Sequence, residues 1–351
     1  VSLAADHDLV IFDLDGVVYL GTEAVPGAPA AIRSIVDGGT AVAFATNNAS
    51  RSAADVAELL VGMGVPARAG DVVTSAHAAA QLLAGQLPAG SLVLALGAPA
   101  LRAELAAVGL TPVGSADDRP VAVVQGYGPD VGWAGLAEAC LAIRAGARWV
   151  ATNTDSTMPS PRGPVPGNGS LVAALTMALG GRVPDTVVGK PEAVLFQVAA
   201  GHRSAERILV VGDRLDTDIE GARRAGMASL LVLTGVSTPA ELLAAPATRR
   251  PTHVAADCSA LSTPDGESRI PGWANGSAGP GGWRVGLDGD HLVLSAEPGH
   301  DEDPVSPLRI LAAAAWANPQ WTEVRPADAA AERAVAALAL VQREPGDRQT
   351  R

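Results

Sequence analysis

The chain has 351 residues, 48% of them hydrophobic, and a formal net charge of −12. That charge argues against a nucleic-acid partner, because phosphate backbones are bound by basic surfaces, while the apolar share is enough to fill two or three domains of ~100–200 residues each. Aromatic residues make up only 3%, so the core must be built of Ala, Val and Leu.

The first residues, VSLAADHDLV, have no basic start and no long apolar run, so no leader is expected. Residues 8–15, DLVIFDLD, form an apolar run that ends in two acids. A helix-like stretch, APAAIRSIVDGG, follows, and residues 41–48, AVAFATNN, are a second apolar run ending in Thr and two Asn. SAADVAELLVGMG reads as another helix, and DVVTSAHAAAQLLAG (71–85) as a further strand and helix. Then LVLALG, VAVVQGYG and RWVATNTD read as strands, with GLAEACLAIRAG and SLVAALTMALGG as helices. RILVVGD (207–213), ASLLVLTG (228–235) and THVAAD (252–257) restore the apolar-then-polar strand pattern.

Short apolar strands alternating with helices imply a parallel sheet covered on both faces. The expected fold is α/β: a Rossmann-like doubly wound parallel-sheet core, an inserted α/β cap domain and a small C-terminal α+β module. The core takes 1–85 and 186–260 and the cap 86–185. Residues 261–282 are a Pro/Gly/Ser-rich linker, and 283–351 form the third module. There, WRVGLDGDHLVLS reads as a hairpin turning at Asp-Gly-Asp, followed by alanine-rich helices at about 304–317 and 326–343. Four of the six tryptophans lie in 273–321 and are read as core or interface. The longest apolar segments, such as LAAAAWA, fall short of the ~20 residues of a membrane helix. Cys140 and Cys258 show no metal or redox spacing and are expected to be reduced thiols. The chain is expected to be cytoplasmic, with no membrane partner; a homo-oligomer stays open.

In such sheets ligands bind beyond the carboxyl ends of the strands, and the polar residues gather there. Asp13 and Asp15 are two apart, so both point to one face with Leu14 opposite. Two carboxylates so close resist joint ionisation, which lets one serve as an acid and the other as a nucleophile or metal ligand. Asp213 ends another strand, with Asp216 and Asp218 behind it. Oxygen-only ligands favour Mg²⁺. Thr46 and Asn47 offer hydroxyl, amide and backbone donors to phosphoryl oxygens.

The remaining piece is VVGKPE (187–192). Its lysine, Lys190, is the only one in the chain; the other 24 of the 25 basic residues are arginines. Composition of this kind reflects a GC-rich bacterial genome, under which a surface lysine drifts to arginine at little cost. A lysine that persists is expected to be needed as a compact point charge. Together these residues make a phosphoryl-transfer kit.

Four stretches in this order, FDLDGV (12–17), ATNN (45–48), GKPE (189–192) and GDRLDTDI (212–219), resemble the haloacid dehalogenase superfamily of phosphatases. The short first interval and long second one are similar to the branch with its cap between motifs two and three, the p-nitrophenyl phosphatase and phosphoglycolate phosphatase type. ATNTDSTMPSPRGPVPGNGS (151–170) is similar to that branch's cap loop. With the added C-terminal segment, the whole chain resembles the actinobacterial (mycobacterial) D,L-glycerol-3-phosphate phosphatases, whose tail is a degenerate acetyltransferase-like domain.

The resemblance implies a Mg²⁺-dependent phosphatase acting on a small phosphate ester through an aspartyl-phosphate intermediate, with glycerol 3-phosphate first. The alternatives are phosphoglycolate, pyridoxal phosphate or another small sugar or nucleotide phosphate; the remote one is an inactive sensing or scaffold protein. It implies Asp13 as nucleophile and metal ligand, and Asp15 as acid/base with its backbone carbonyl on the metal. Asp213 becomes the third metal ligand, and Asp218 a residue acting through water or orienting Lys190. Thr46, Asn47 and Lys190 hold the phosphoryl group. Asn48 either joins them or caps the next helix. Asn153, Asp155 and Ser156 are candidates for cap specificity. Gly167 and Gly169 before a helix are either an anion-binding turn or a plain helix start. Asp216 and Arg162 are read as solvated, and His77, His202 and His253 as structural or surface.

Overall fold

A computed structural model describes residues 1–158, 160, 162–201 and 203–340. His202 and the stretch 341–351, expected to finish the last helix and the module, lie outside the described residues. The chain forms two compact units, Val1–Ala41 with the residues from Ala205 onward, and Val42–Ser204. The fold is α/β, with parallel sheets flanked by helices and a small additional sheet near the C-terminus.

In the first unit four parallel strands run in the order His253–Ala255, Ala228–Val232, Ile208–Gly212, Leu9–Phe12. Leu9 pairs with Ile208 and Phe12 with Val211, Val211 with Leu230, and Leu231 with Val254. The runs LVIF and ILVVG are buried at every position, as a strand covered on both faces demands. The 30-residue interval after Asp15 holds a short hairpin, Tyr19–Leu20 with Glu23–Ala24, and the helix Ala28–Asp37.

The tail belongs to the same unit. Trp283–Asp288 and His291–Ala296 form the expected antiparallel hairpin, with Gly289 in the turn at φ +63°. A third strand, Glu323–Pro326, runs parallel to His291–Ala296 and has no apolar run to announce it in the sequence. The helices are Ser306–Ala317 and Ala329–Ala337, the second capped by the Asp328 side chain. Trp283, Val285, Leu292, Leu308 and Leu311 share one apolar core with Leu231, Leu242, Leu243 and Val254 of the parallel sheet and its helices. Trp273, Trp316 and Trp321 pack against that core, so the tryptophans are core, as expected.

Residues 261–282 are less open than their composition suggests. They hold the short helix Asp265–Ser268. The Ile270 N–H donates to the Thr252 carbonyl at 3.0 Å, and the Trp273 indole to Val285 at 3.2 Å. Two apolar side chains anchor what glycine and proline would leave loose.

In the second unit Ala41–Thr46 pairs in parallel with Val72–Thr74. The helices Ala53–Gly62 and Ser75–Ala84 follow these strands. A five-stranded parallel sheet runs Thr186–Val187, Arg148–Ala151, Ala122–Gln125, Leu92–Leu96, Thr111–Val113. Its helices are Pro99–Ala107, Trp133–Arg144 and Asn168–Ala178. Trp149, Val123, Ile143 and Leu175 fill its core. The edge strand Thr186–Val187 carries this sheet two residues past 185. Among the described residues no helix is long and apolar enough to cross a membrane.

Candidate active site

A group of acids is built in the first unit. The strand Leu9–Phe12 continues its ladder into Asp13, whose N–H donates to the Val211 carbonyl at 2.9 Å. Leu14 turns inward and is buried, while the Asp15 side chain is exposed. Gly16 then sits at φ +87°, where only glycine is unstrained, and its N–H closes the turn onto the Tyr19 carbonyl at 2.8 Å.

Asp213, 1% exposed, lies against that turn. A Cβ on Gly16 would sit 2.5 Å from its Oδ2, and one on Gly235 only 2.0 Å away. The Val236 N–H donates to the same oxygen at 2.7 Å, and the Thr234 hydroxyl donates to the Gly16 carbonyl at 2.6 Å. Two glycines and a threonine thus form a cradle fitted to one carboxylate. The part played by Thr234, Gly235 and Val236 was missed in the sequence; its signal is the Thr-Gly that closes ASLLVLTG.

Asp218 is fully buried on a wide helical turn, Leu215–Ile219, and its Oδ2 accepts from the Arg214 N–H at 3.1 Å. One carboxylate oxygen from each of Asp13, Asp213 and Asp218 lies within 4.8 Å of the others. Three convergent, largely buried carboxylates are a donor set for a hard divalent cation, so the residues present fit Mg²⁺. The Asp218 carboxylate stands inside this set rather than behind it. The Asp15 side chain stands outside it, which leaves its backbone carbonyl as the contact proposed from the sequence.

Asp216 is not simply solvated. Its carboxylate pairs with Arg214 at 2.9 and 3.0 Å. Half-burial would raise its pKa, but the hydrogen bonds and charge of Arg214 hold it below the usual carboxylate range.

A second group, of a hydroxyl, amides and one ammonium, is built in the second unit. Thr46 ends the strand Ala41–Thr46, buried, and its hydroxyl oxygen accepts from the Asn48 N–H at 3.1 Å. Its own O–H proton must therefore point elsewhere. Asn48 is exposed, and its Oδ1 accepts from the Ser50 N–H at 2.8 Å and the Ser50 hydroxyl at 2.7 Å. It does not cap the next helix: Ser52 does, in a capping box with Asp55.

Lys190 is 4% exposed, and its ammonium donates to the Ala45 carbonyl at 3.3 Å. Its backbone N–H donates to Asn47 Oδ1 at 2.8 Å, and its carbonyl accepts from Asn47 Nδ2 at 3.1 Å. Asn47 Nδ2 also donates to Asp155 Oδ2 at 3.1 Å. The amide expected to meet a phosphoryl oxygen is thus engaged within the protein.

Asn153 is buried and donates from Nδ2 to the Asn47 carbonyl at 2.6 Å. Ser156 is exposed, and its carbonyl accepts from the Gly167 N–H at 2.9 Å. The Gly169 N–H donates to the Asp155 carbonyl at 2.8 Å. These glycine donors are spent on the cap loop, which fits a helix start and not an anion-binding turn. Arg162 is exposed. His77 pairs with Glu104 at 2.9 Å. His253 is buried beside Ser268, and burial pushes its pKa down to about 4. Both cysteines are unpaired, and burial pushes the Cys258 thiol up to about 12.

Comparison with known proteins shows the family. Residues 10–111 match the haloacid dehalogenase-like hydrolase family, 187–261 the HAD-hydrolase-like family, and 280–340 the GCN5-related N-acetyltransferase like domain. The chain is similar to D-glycerol 3-phosphate phosphatase of Mycobacterium tuberculosis, 45% identical over 320 residues, covering 90% of this chain and 87% of that one. Its structure is similar to that of glycerol phosphate phosphatase Rv1692 from M. tuberculosis in complex with magnesium (TM-score 0.88, 43% identity, 97% of this chain and 99% of that one). It is also similar to p-nitrophenyl phosphatase from Archaeoglobus fulgidus (TM-score 0.68, 29% identity, 73% and 98%).

Proposed function

The chain belongs to the haloacid dehalogenase-like hydrolases, and from that premise we infer that it is a Mg²⁺-dependent phosphatase hydrolysing glycerol 3-phosphate to glycerol and phosphate. The observation that carries the reading is the convergence of Asp13, Asp213 and Asp218. These three carboxylates would hold Mg²⁺, which would supply the positive charge that offsets repulsion between an attacking carboxylate and a phosphate dianion.

Asp13 attacks phosphorus, and an aspartyl phosphate forms as the bond to the glycerol oxygen breaks. Asp15 gives its proton to the leaving alkoxide, then takes one from the water that attacks the phosphoaspartate and returns Asp13 and inorganic phosphate. The exposed Asp15 side chain suits a group that must reach water. Thr46 directs its hydroxyl proton, and Lys190 its ammonium, to phosphoryl oxygens.

We take 1–85 and 186–260 as the phosphatase core and the five-stranded sheet with its helices as the cap. No acetyl transfer is assigned to the tail: Asp301, Glu302 and Asp303 precede the helix Ser306–Ala317, and carboxylates there oppose an anionic coenzyme. Two unpaired cysteines support a reducing compartment, the cytoplasm.

The test is a panel of phosphate esters compared by kcat/KM. Glycerol 3-phosphate is expected to lead, with all activity lost in EDTA and regained on adding Mg²⁺. Activity that survives EDTA would remove the metal from the mechanism. A higher kcat/KM for phosphoglycolate or pyridoxal phosphate would replace the substrate.

A further inference from the structure

We propose that Asn47 and Asp155 are positioning residues that set the Lys190 peptide, and that the cap loop at 153–155 is a brace for the phosphate-binding loop and not a reader of the substrate. This rests on the assignment of Lys190 to phosphoryl oxygens.

A carboxamide has one acceptor oxygen and two N–H donors. In Asn47 all three are used. Oδ1 accepts from the Lys190 N–H at 2.8 Å, and Nδ2 donates to the Lys190 carbonyl at 3.1 Å. The side chain thus pairs with both backbone groups of one residue, as a neighbouring strand would. Two residues 143 positions apart in sequence are locked in one orientation, and the direction of the Lys190 side chain follows from it. The second Nδ2 proton goes to the Asp155 carboxylate, 3.1 Å from Oδ2 and 3.4 Å from Oδ1. No side-chain donor of Asn47 is left for a phosphoryl oxygen.

The carboxylate reinforces the way the amide lies. The Lys190 N–H and carbonyl already favour this orientation, and an acceptor at 155 holds the NH₂ group toward the cap loop with a third bond. A flipped amide would set its oxygen against both the Lys190 carbonyl and the Asp155 carboxylate. The loop that carries Asp155 is itself held. The Asp155 N–H donates to Asn153 Oδ1 at 3.2 Å, Asn153 Nδ2 donates to the Asn47 carbonyl at 2.6 Å, and Asn168 Nδ2 donates to the Asn153 carbonyl at 2.7 Å. The circuit returns to Asn47 through its main chain, so the cap loop grips that residue at two points.

A misplacement of about 1 Å in a positioning element costs ~100-fold in rate. Asp155→Ala is therefore expected to lower kcat about 30-fold with little change in KM, and by the same factor for glycerol 3-phosphate, p-nitrophenyl phosphate and phosphoglycolate. A residue that read the substrate would change their ratios. Asn47→Asp places two carboxylates face to face and is expected to lose about 100-fold. Adding Asp155→Asn to it restores a donor–acceptor pair at constant volume and should regain about tenfold, at an unchanged melting temperature.

Losses that differ more than about tenfold among the three esters, wild-type turnover in Asp155→Ala, or no gain from the double exchange would each overturn the proposal. Lys190→Met, measured alongside, separates it from its premise. If that variant keeps its activity, the phosphate-site assignment itself fails. If Lys190→Met is inactive while Asp155→Ala is not, the positioning role alone is wrong.

Discussion

The strand ends of the first unit carry carboxylates; those of the second carry a hydroxyl, amides and one ammonium. Each group is built differently. Asp13, Asp213 and Asp218 converge within 4.8 Å, and Asp213 is held by a cradle in which any Cβ would collide. That is a site of concentrated charge, in which the loss of any one member is expected to be felt in full. The neutral end works through a hydrogen-bond circuit from the Lys190 peptide through Asn47 to the cap loop. There a loss is shared among several bonds. The difference teaches that charge makes the chemistry possible, whereas geometry at the neutral end sets how fast it runs.

The largest expected effect breaks the charged end. Asp13→Asn keeps the volume and removes the proposed nucleophile and one negative charge of the donor set. Turnover of p-nitrophenyl phosphate should fall by at least roughly 1,000-fold. Full activity in this variant would end the comparison, because the acidic end would then carry no chemistry. A loss smaller than that of a neutral-end variant would reverse its order.

The next effect, at the neutral end, sharpens the comparison. Lys190→Arg preserves charge and changes only shape. The ammonium is nearly buried and 3.3 Å from the Ala45 carbonyl; a wider planar guanidinium is expected to fit poorly there, so kcat/KM is expected to drop about 30-fold. Near-wild-type turnover would mean that charge alone matters there. It would also return the single lysine of the chain to an accident of composition.

The difference between the two ends also explains what was legible in the sequence. The carboxylates were readable because they sit at the ends of local apolar runs, and Asp13 with Asp15 carries its geometry in a spacing of two. The role of Asn47 was not, because its partners lie 108 and 143 positions away. No local pattern records whether an amide faces a ligand or a peptide. Asn48 shows the same limit on a smaller scale. The Ser52-x-x-Asp55 signal of the true cap is in the sequence, but Asn48, by its place in ATNN, stands as a rival candidate with two roles left open. Among the strands of the three larger sheets, those missed are Thr111–Val113, Thr186–Val187 and Glu323–Pro326. They are short, and none has the buried apolar run by which its neighbours were found.

The smallest expected effect on rate tests whether every buried charge of the first unit belongs to chemistry. Arg309 is as buried as the site aspartates, yet its partners are structural. Nε donates to the Val254 carbonyl at 3.1 Å, and Nη1 meets Asp303 at 2.9 Å and the Ser306 hydroxyl at 3.0 Å. It ties the tail helix Ser306–Ala317 to the edge strand His253–Ala255, beside a core that both share. Arg309→Met keeps the apolar stem and removes the tie. Breaking a buried pair costs up to ~3–5 kcal/mol, and the part-exposed Asp303 lowers this to about 2 kcal/mol. That should be visible as a lower melting temperature while kcat/KM of the folded enzyme stays within about twofold. Removal of everything after about residue 265 is the harsher form of the same test. It would expose Leu231, Leu242, Leu243 and Val254, and the shortened chain is expected to aggregate rather than to turn over normally. A soluble, fully active product would show that the tail is a separate bead, and a loss of kcat in Arg309→Met at unchanged stability would move the tail from scaffold into mechanism.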